Sequence, residues 1–185
     1  MYLQKARGFS LIELMVVLVI TAVLINAALP SFNTLISTQE RSVALNDLVG
    51  AFALARQHAV MNAVIVTVCP LDASNNCGRD WNGNIHAFLD PENTRKRMPT
   101  QVLLRTIAPG GRGRLIVRSL RRSFFQFKPT GLIHSDLGNI TWCPYSADPS
   151  LAGQIIISRG GRLRIAQDSD DDGIPEDAQG RPIRC

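Results

Sequence analysis

Residues 11–29 read LIELMVVLVITAVLINAAL, an apolar run interrupted by three polar residues: Glu13, Thr21 and Asn26. A run of this length is about what a helix needs to cross the hydrocarbon core of a bilayer. Lys5 and Arg7 precede the run, and the next basic residue is Arg41. Because basic residues stay on the cytoplasmic side, we expect a cytoplasmic N-terminus and an exported remainder of the chain.

Two ordinary export signals explain this run less well. A cleaved secretory signal has an apolar region of about 7–15 residues followed by a small-x-small cleavage site. Here the run is longer, and it ends in the poor site Ile25-Asn26-Ala27-Ala28-Leu29-Pro30. A plain signal anchor explains the length but not Glu13. Because a carboxylate inside a membrane helix costs about 2.5–3.5 kcal/mol on insertion scales, we expect Glu13 to have a partner or a function.

The residues at the start of the run read Gly8-Phe9-Ser10-Leu11-Ile12-Glu13-Leu14. They resemble the class III signal of type IV prepilins and of type II secretion pseudopilins. The resemblance implies cleavage after Gly8 by a prepilin peptidase and N-methylation of the new terminus, Phe9. It also implies that Glu13 sets the register of each subunit by meeting the terminal amine of a neighbour. Residues 1–8 would then be the leader peptide, and residues 9–30 a transmembrane helix that enters the filament core.

Helical spacing continues beyond the apolar run in a stripe of apolar and small residues: Leu45, Leu48, Val49, Phe52, Ala55 and Ala59. This stripe predicts one helix from about Phe9 to about Asn62, whose second half packs on a sheet. Short β-like runs follow, separated by turn signals rich in Gly, Pro and Asn. They predict eight strands: Val64–Val68, Ile85–Leu89, Val102–Ile107, Leu115–Val117, Phe124–Phe127, Asn139–Trp142, Gln154–Ser158 and Leu163–Ala166. A helix followed only by strands favours an α+β fold with an antiparallel sheet over the helix, in one globular domain over residues 31–185.

The chain has four cysteines: Cys69, Cys77, Cys143 and Cys185. An even number in an exported domain predicts two disulfides, and four cysteines allow three pairings. The spacings do not resemble a zinc site, and no histidine lies near a cysteine in sequence. We therefore interpret the cysteines as two links, of which Cys69–Cys77 closes a short loop and Cys143–Cys185 ties the C-terminus to the core.

Short motifs run through the second part of the chain: Val66-Thr67-Val68-Cys69-Pro70, Cys77 with Trp81 and Gly83, Phe88-Leu89-Asp90, Phe127-Lys128-Pro129-Thr130-Gly131, Cys143, and Ile155-Ile156-Ile157-Ser158 leading into Gly161-Arg162-Leu163-Arg164. Together they resemble the GspH/FimT family. The resemblance implies a type IV pilin-like fold and assembly with other pilins or pseudopilins through the N-terminal helix. It implies a single-pass inner-membrane protein with a periplasmic C-terminal domain, which reaches the filament or cell surface after assembly. The expected function is that of a minor type IV pilin in pilus assembly or initiation, and a minor pseudopilin of type II secretion is the alternative.

Arginine is abundant, and the formal net charge is +5 although six acids fall between Asp168 and Asp177. On a strand, Arg162 and Arg164 would share one face and grip successive phosphates. The tetrapeptide Gly161-Arg162-Leu163-Arg164 resembles the GRxR motif of FimT-like minor pilins that bind DNA during natural transformation. The candidate DNA-binding residues are Arg162, Arg164, Arg159, Arg112 and Arg114. Aromatic residues make up only 6% of the chain, so binding should depend on phosphates. The alternative is solvated arginines, or arginines that contact neighbouring subunits.

The acidic stretch Asp168-Ser169-Asp170-Asp171-Asp172-Gly173 has the D-x-D-x-D-G start of a calcium loop. The candidate calcium ligands are the carboxylates of Asp168, Asp170, Asp172 and Glu176, the last at the ninth loop position, and Ile174 could add its carbonyl. Gln179 stands at the twelfth position, where an EF-hand has a bidentate Glu. The alternative is an acidic loop without a metal, mobile or folded against the arginines.

Motifs of catalysis do not occur: there is no HExxH, GxSxG, P-loop or paired-cysteine redox motif. We therefore expect no enzyme activity, no small-molecule substrate and no cofactor other than calcium.

Overall fold

The computed structural model of the chain describes residues 10–109, 111–119, 122–134 and 137–185, with the backbone alone for residues 27–31. The chain divides into two compact units, Met1–Ile36 and Ser37–Cys185. The sequence predicts a division between residues 30 and 31. The observed division lies later because residues 32–36 are still exposed, and partial burial begins at Ser37.

Helix α1 spans Leu11–Met61, close to the predicted range. Ala63 follows it with a φ of 49°, in the left-handed region. The Val64 N–H donates to the Ala59 carbonyl at 3.1 Å, which is the bond that closes a helix after a left-handed residue. The backbone is thereby turned out of the helix and into the first strand.

Within the first unit, every described side chain from Ser10 to Asn26 is exposed. Among the residues that the structure describes, no helix has a segment that is both long and apolar enough to cross a membrane. The transmembrane segment expected over residues 9–30 stays a prediction.

Within the second unit, the helix buries a stripe of residues three or four positions apart: Ala44, Leu45, Leu48, Ala51, Phe52, Ala55 and Ala59. The predicted stripe is confirmed, with Val49 partly buried at its border. Phe52 lies at its centre, and its ring centroid is 5.4 Å from that of Phe125 and 6.2 Å from that of Phe127, both edge to face. Such aromatic pairs stabilise a core beyond the area that they bury.

Each of the eight predicted strands is present, with ends shifted by up to two residues. Their bounds are β1 Val66–Pro70, β2 Ile85–Leu89, β3 Leu103–Ile107, β4 Gly113–Ser119, β5 Phe125–Phe127, β6 Gly138–Pro144, β7 Gly153–Ile157 and β8 Leu163–Ile165. All pairings are antiparallel. The predicted α+β class, a long N-terminal helix followed by antiparallel strands, is therefore confirmed.

The strands form two sheets rather than the single sheet that the sequence predicts. One has the order β3-β2-β1-β5 and the other β4-β6-β7-β8. The division arises because β4 pairs with β6 instead of with β3, while β5 returns to pair with β1. Buried residues of both sheets, such as Val66 of β1 and Ile155 of β7, share one core cluster with the helix stripe.

Candidate functional site

The predicted leader and methylation residues, Gly8 and Phe9, lie outside the described residues. The description begins at Ser10, which caps helix α1: its Oγ accepts the Glu13 N–H at 3.3 Å. The spacing Ser-x-x-Glu is that of a capping box, so the sequence carries a signal for this role. Glu13 itself is exposed in the isolated chain, where a neighbouring subunit can reach its carboxylate.

Both expected disulfides are present in the second unit. Cys69 of β1 bonds to Cys77 with a Cα–Cα distance of 5.5 Å, and Cys143 of β6 bonds to Cys185 with a Cα–Cα distance of 5.6 Å. The first closes the turn in which the Asp72 carboxylate accepts the N–H groups of Asn76 and Ser74. The Asn76 N–H is the main reason why the pKa of Asp72 lies below its usual value of 3.8. The second disulfide fixes the last residue of the chain to the middle of a sheet.

The turn between β7 and β8 carries the predicted DNA-binding tetrapeptide. It packs on the turn that follows β5: a Cβ at Gly161 would overlap the carbonyl oxygen of Gly131, and Gly161 has a φ of +72°. The Ile133 N–H also donates to the Arg159 carbonyl at 3.3 Å. These contacts require glycine at Gly161 and fix the backbone beside Lys128, which is exposed.

The arginines of this turn are exposed. Arg159 lies in the turn, Arg162 lies just before β8 opposite Ser158, and Arg164 lies within β8 opposite Ile156. Among the described residues, the ion pairs are Arg105–Asp47 and Arg181–Asp177, and neither involves one of these three arginines. They therefore present positive charge to solvent.

The same sheet places a further arginine, Arg118, in register with this group. Arg164 pairs with Ile156, Ile156 with Asn139, and Asn139 with Arg118. Residues in one such row project from the same face of a sheet, and three strand spacings separate the two arginines by about 14 Å. A groove on this sheet is lined by Arg118, Arg122 and Arg159 among other residues. Arg118 and Arg122 were not among the predicted site residues, because only the strand pairing brings them near β8.

His134 lies close to several positive charges near this surface. Its pKa lies below the usual value of 6.5, first because the ring is partly buried and then because Lys128, Arg122 and Arg95 are close. Three cations that disfavour a further positive charge at one position mark a region suited to anions.

The remaining candidates, Arg112 and Arg114, do not belong to this group. They lie at the start of β4, at the opposite edge of the sheet from β8. The Arg112 N–H donates to Glu40 Oε2 at 2.7 Å, so an acid of helix α1 lies beside them. The five arginines predicted as one site are thus divided between two edges of the sheet.

The acidic stretch forms a folded loop after β8. Asp168, Asp170, Asp172 and Glu176 each have a carboxylate oxygen in one group, in which all four atoms lie within 4.8 Å of one another. Asp177 is outside this group and forms an ion pair with Arg181 at 2.9 Å. Burial raises the pKa of Asp177, but the N–H groups of Arg181 and Gln179 and the Arg181 guanidinium together hold it below its usual value of 3.8. None of the loop's acids forms an ion pair with Arg159, Arg162 or Arg164 among the residues described.

A buried polar network, which the sequence did not predict, surrounds Asp90. This residue has no exposed surface, and its carboxylate accepts bonds from the Thr67 hydroxyl at 2.8 Å and from the N–H groups of Thr94 and Arg95 at 2.9 and 3.0 Å. Gln126 Nε2 donates to Thr67 Oγ1 at 2.9 Å and reaches Asp90 Oδ2 at 3.3 Å. The network joins β1, β5 and the turn after β2, so we assign it to structure rather than to chemistry.

Comparison with known proteins gives two family matches. Residues 3–28 match the prokaryotic N-terminal methylation motif, and residues 44–161 match the family model described as type II transport protein GspH. No curated protein matches the sequence.

Two solved structures share the fold. The type IV minor pilin FimU of Pseudomonas aeruginosa aligns with a TM-score of 0.53 at 14% identity, over 70% of this chain and 90% of that one. The minor pseudopilin EpsH from the type II secretion system of Vibrio cholerae aligns with a TM-score of 0.51 at 9% identity, over 71% of this chain and 99% of that one. The matched proteins are structural pilins and pseudopilins rather than enzymes. With its methylation motif, its family match over most of the folded unit and its pilin-like fold, the chain belongs to the GspH family of minor pilins and pseudopilins.

Proposed function

We propose that this chain is a minor pilin that enters a type IV pilus through its N-terminal helix and takes part in pilus assembly or initiation. The observation that carries the proposal is the methylation motif over residues 3–28 in the same chain as the family match over residues 44–161. Before assembly, the helix would anchor the protein in the inner membrane with the second unit in the periplasm.

The exposed apolar residues of the first unit support a role in assembly. All large apolar side chains from Leu11 to Ile25 are more than half exposed, such as Leu11 at 78% and Ile12 at 71%. So much apolar surface requires lipid or other helices around it. In that environment the Glu13 carboxylate and a neighbour's terminal amine at Phe9 would each provide the charge that the other needs.

Processing tests this part of the proposal. Mass spectrometry of the mature chain from its host should find an N-methylated Phe9 as the first residue, and a chain that still begins at Met1 would contradict a filament role. A Glu13→Ala variant should be processed but absent from sheared filaments. Glu92→Ala, which removes an exposed acid in the second unit, is the matched control and should still be incorporated.

We further propose that the turn between β7 and β8 binds DNA through its phosphates. Support comes from the exposure of Arg159, Arg162 and Arg164, from their lack of ion pairs among the described residues, and from the adjoining Lys128. Arginine presents a planar set of donors that suits phosphate oxygens. Because phosphates are common to all sequences, binding would show no sequence preference and would weaken steeply with salt.

The experiment measures binding of labelled duplex DNA to the full chain in detergent micelles, at several salt concentrations. Arg162→Gln/Arg164→Gln should weaken binding at least tenfold and make the salt dependence shallower by about two contacts. Arg112→Gln/Arg114→Gln removes the same charge from the other edge of the sheet and should weaken it much less. Equal losses in both variants would mean attraction by net charge alone, and no binding by the wild-type chain at low salt would overturn the proposal.

The alternative is a minor pseudopilin of a type II secretion system. It is favoured by the family description and by the similarity to EpsH, as the pilus role is by the similarity to FimU. Deletion of the gene in its host separates the two: loss of surface pili indicates the first function, and loss of secreted proteins with pili intact indicates the second.

A further inference from the structure

The acidic loop after β8 contains buried carboxylate oxygens without a partner. Glu176 is only 7% exposed. Its Oε2 accepts the Ser169 N–H at 2.7 Å, whereas its Oε1 is buried and has no hydrogen-bond partner. Asp168 repeats the pattern, since its Oδ2 accepts the Gly173 N–H at 2.8 Å and its Oδ1 is buried without a partner. Burial of an unpaired carboxylate oxygen is costly, so each of these atoms needs a ligand.

These oxygens belong to one group of four acids. Oxygens of Asp168, Asp170, Asp172 and Glu176 all lie within 4.8 Å of one another. In the described part of the chain, no cationic side chain forms an ion pair with any of the four. The cations on neighbouring segments are otherwise engaged: Arg181 pairs with Asp177, and Arg41 donates to the carbonyls of Ser150 and Ala152 at 3.4 and 3.2 Å. Four close carboxylates therefore repel one another without compensation inside the chain.

The backbone holds the loop in the shape that this grouping needs. Gly173 has a φ of +87°, and its N–H turns back to the first acid of the loop. The Ile174 N–H donates to Asp172 Oδ1 at 2.7 Å and the Asp172 N–H to Asp170 Oδ1 at 3.3 Å, so each of these acids has one oxygen bound to the loop. The loop ends are fixed as well, because the Ala166 N–H donates to the Gln154 carbonyl of β7 and the Ile183 N–H to the Pro175 carbonyl.

We propose that this loop, Asp168 to Glu176, binds one Ca²⁺ ion through the carboxylates of Asp168, Asp170, Asp172 and Glu176. Ca²⁺ takes six to eight oxygen ligands at about 2.3–2.6 Å, so oxygens on opposite sides of one ion are about 5 Å apart, which matches the extent of this group. Mg²⁺ holds its ligands at about 2.0–2.1 Å in a strict octahedron and fits less well. Glu176 takes the place, from the ninth loop position, of the acid that an EF-hand has at the twelfth. Water molecules complete the coordination.

The test titrates Ca²⁺ into the full, metal-free chain in detergent micelles by isothermal titration calorimetry. We expect one ion per chain with a dissociation constant near the 10⁻⁴–10⁻³ M of extracellular calcium modules. Ca²⁺ at about 5 mM should raise the melting temperature by about 3–9 °C, because the ion binds the folded chain alone. The same concentration of Mg²⁺ should have much less effect.

Matched variants locate the ion. Glu176→Gln and Asp170→Asn should each abolish the Ca²⁺-dependent shift in melting temperature, and the exposed position of Asp170 means that its variant should still fold. Asp171→Asn makes the same change within the same loop but outside the group of four, and it should bind Ca²⁺ like the wild type. Absence of saturable binding to the wild-type chain, an equal loss in Asp171→Asn, or an equal shift with Mg²⁺ would each overturn the proposal.

Discussion

Asp90 is a single residue on which three segments depend. Its fully buried carboxylate accepts the Thr67 hydroxyl and the N–H groups of Thr94 and Arg95. Two residues of that turn, Asn93 and Arg95, have φ values of 56°, so the turn relies on these bonds to keep a left-handed backbone. Removal of this acceptor would leave several buried donors without a partner.

We predict that Asp90→Ala lowers the free energy of unfolding by about 2–4 kcal/mol, since hydrogen bonds to a charged group are strong and their donors would stay buried. Chemical denaturation of the full chain in micelles measures the loss. Asp80→Ala is the matched control, because the carboxylate of exposed Asp80 accepts the Asn82 N–H at the surface and its loss should cost less than about 1 kcal/mol. Equal losses would mean that the network contributes little.

At the scale of the elements, helix α1 ends on a residue that is unfavourable for its conformation. Ala63 has a φ of 49°, where the Cβ of alanine is strained and glycine is not. We predict that Ala63→Gly raises the free energy of unfolding by about 0.5–1 kcal/mol. Ala53→Gly, at an exposed position inside the same helix, should lower it by about 1 kcal/mol. Denaturant titrations of both variants measure the changes, and a change of the same sign in both would contradict the role of the helix end.

The two disulfides close loops of very different length, with sequence separations of 8 and 42 residues. In the chain-entropy model, the longer loop contributes about 4 kcal/mol and the shorter about 2.5 kcal/mol. We predict that Cys143→Ala/Cys185→Ala lowers the free energy of unfolding by about 1–2 kcal/mol more than Cys69→Ala/Cys77→Ala does. Each pair contains one cysteine without exposed surface, so the packing losses are similar. A larger loss in the short-loop variant, measured by denaturant titration, would contradict the prediction.

The elements themselves were largely predictable from the sequence, and their arrangement was not. The helical stripe around Phe52 and the short apolar runs repeat with the periods of a helix and of strands, which are local properties. That β4 pairs with β6, and not with its neighbour β3, depends on packing between distant residues such as Leu115 and Trp142. The same limit separated Arg112 from Arg162 and hid Arg118, because no spacing in the sequence reports which strands become neighbours.

At the scale of the whole molecule, two histidines make stability depend on pH. The pKa of His86 lies below 6.5, mainly through burial and then through Arg97, and that of His134 is lowered by burial and by Lys128, Arg122 and Arg95. The folded chain therefore binds fewer protons than the unfolded chain near pH 6. This contribution to stability is complete above about pH 6.5 and is lost as the pH falls from there towards the lowered values.

We predict that the free energy of unfolding falls between about pH 7.5 and about pH 5, and that His86→Gln/His134→Gln makes this dependence shallower. Denaturant titrations at each pH measure both slopes. The lowered pKa values of Asp72 and Asp177 affect stability only near and below pH 3.8, outside this interval. An unchanged slope in the double variant, or greater stability of the wild type in acid, would contradict the prediction.

The bond between Cys143 and Cys185 makes a closed covalent ring of residues 143–185. The ring contains β7, β8, the turn with Arg159 and Arg162, and the whole acidic loop. A protease that cuts one peptide bond inside the ring leaves both fragments joined, whereas one cut between Gly78 and Trp142 divides the chain in two. Nicked protein of the first kind would run as one band on a gel without reductant and as two bands with it. The most charged part of the subunit can thus be cut without being lost from it.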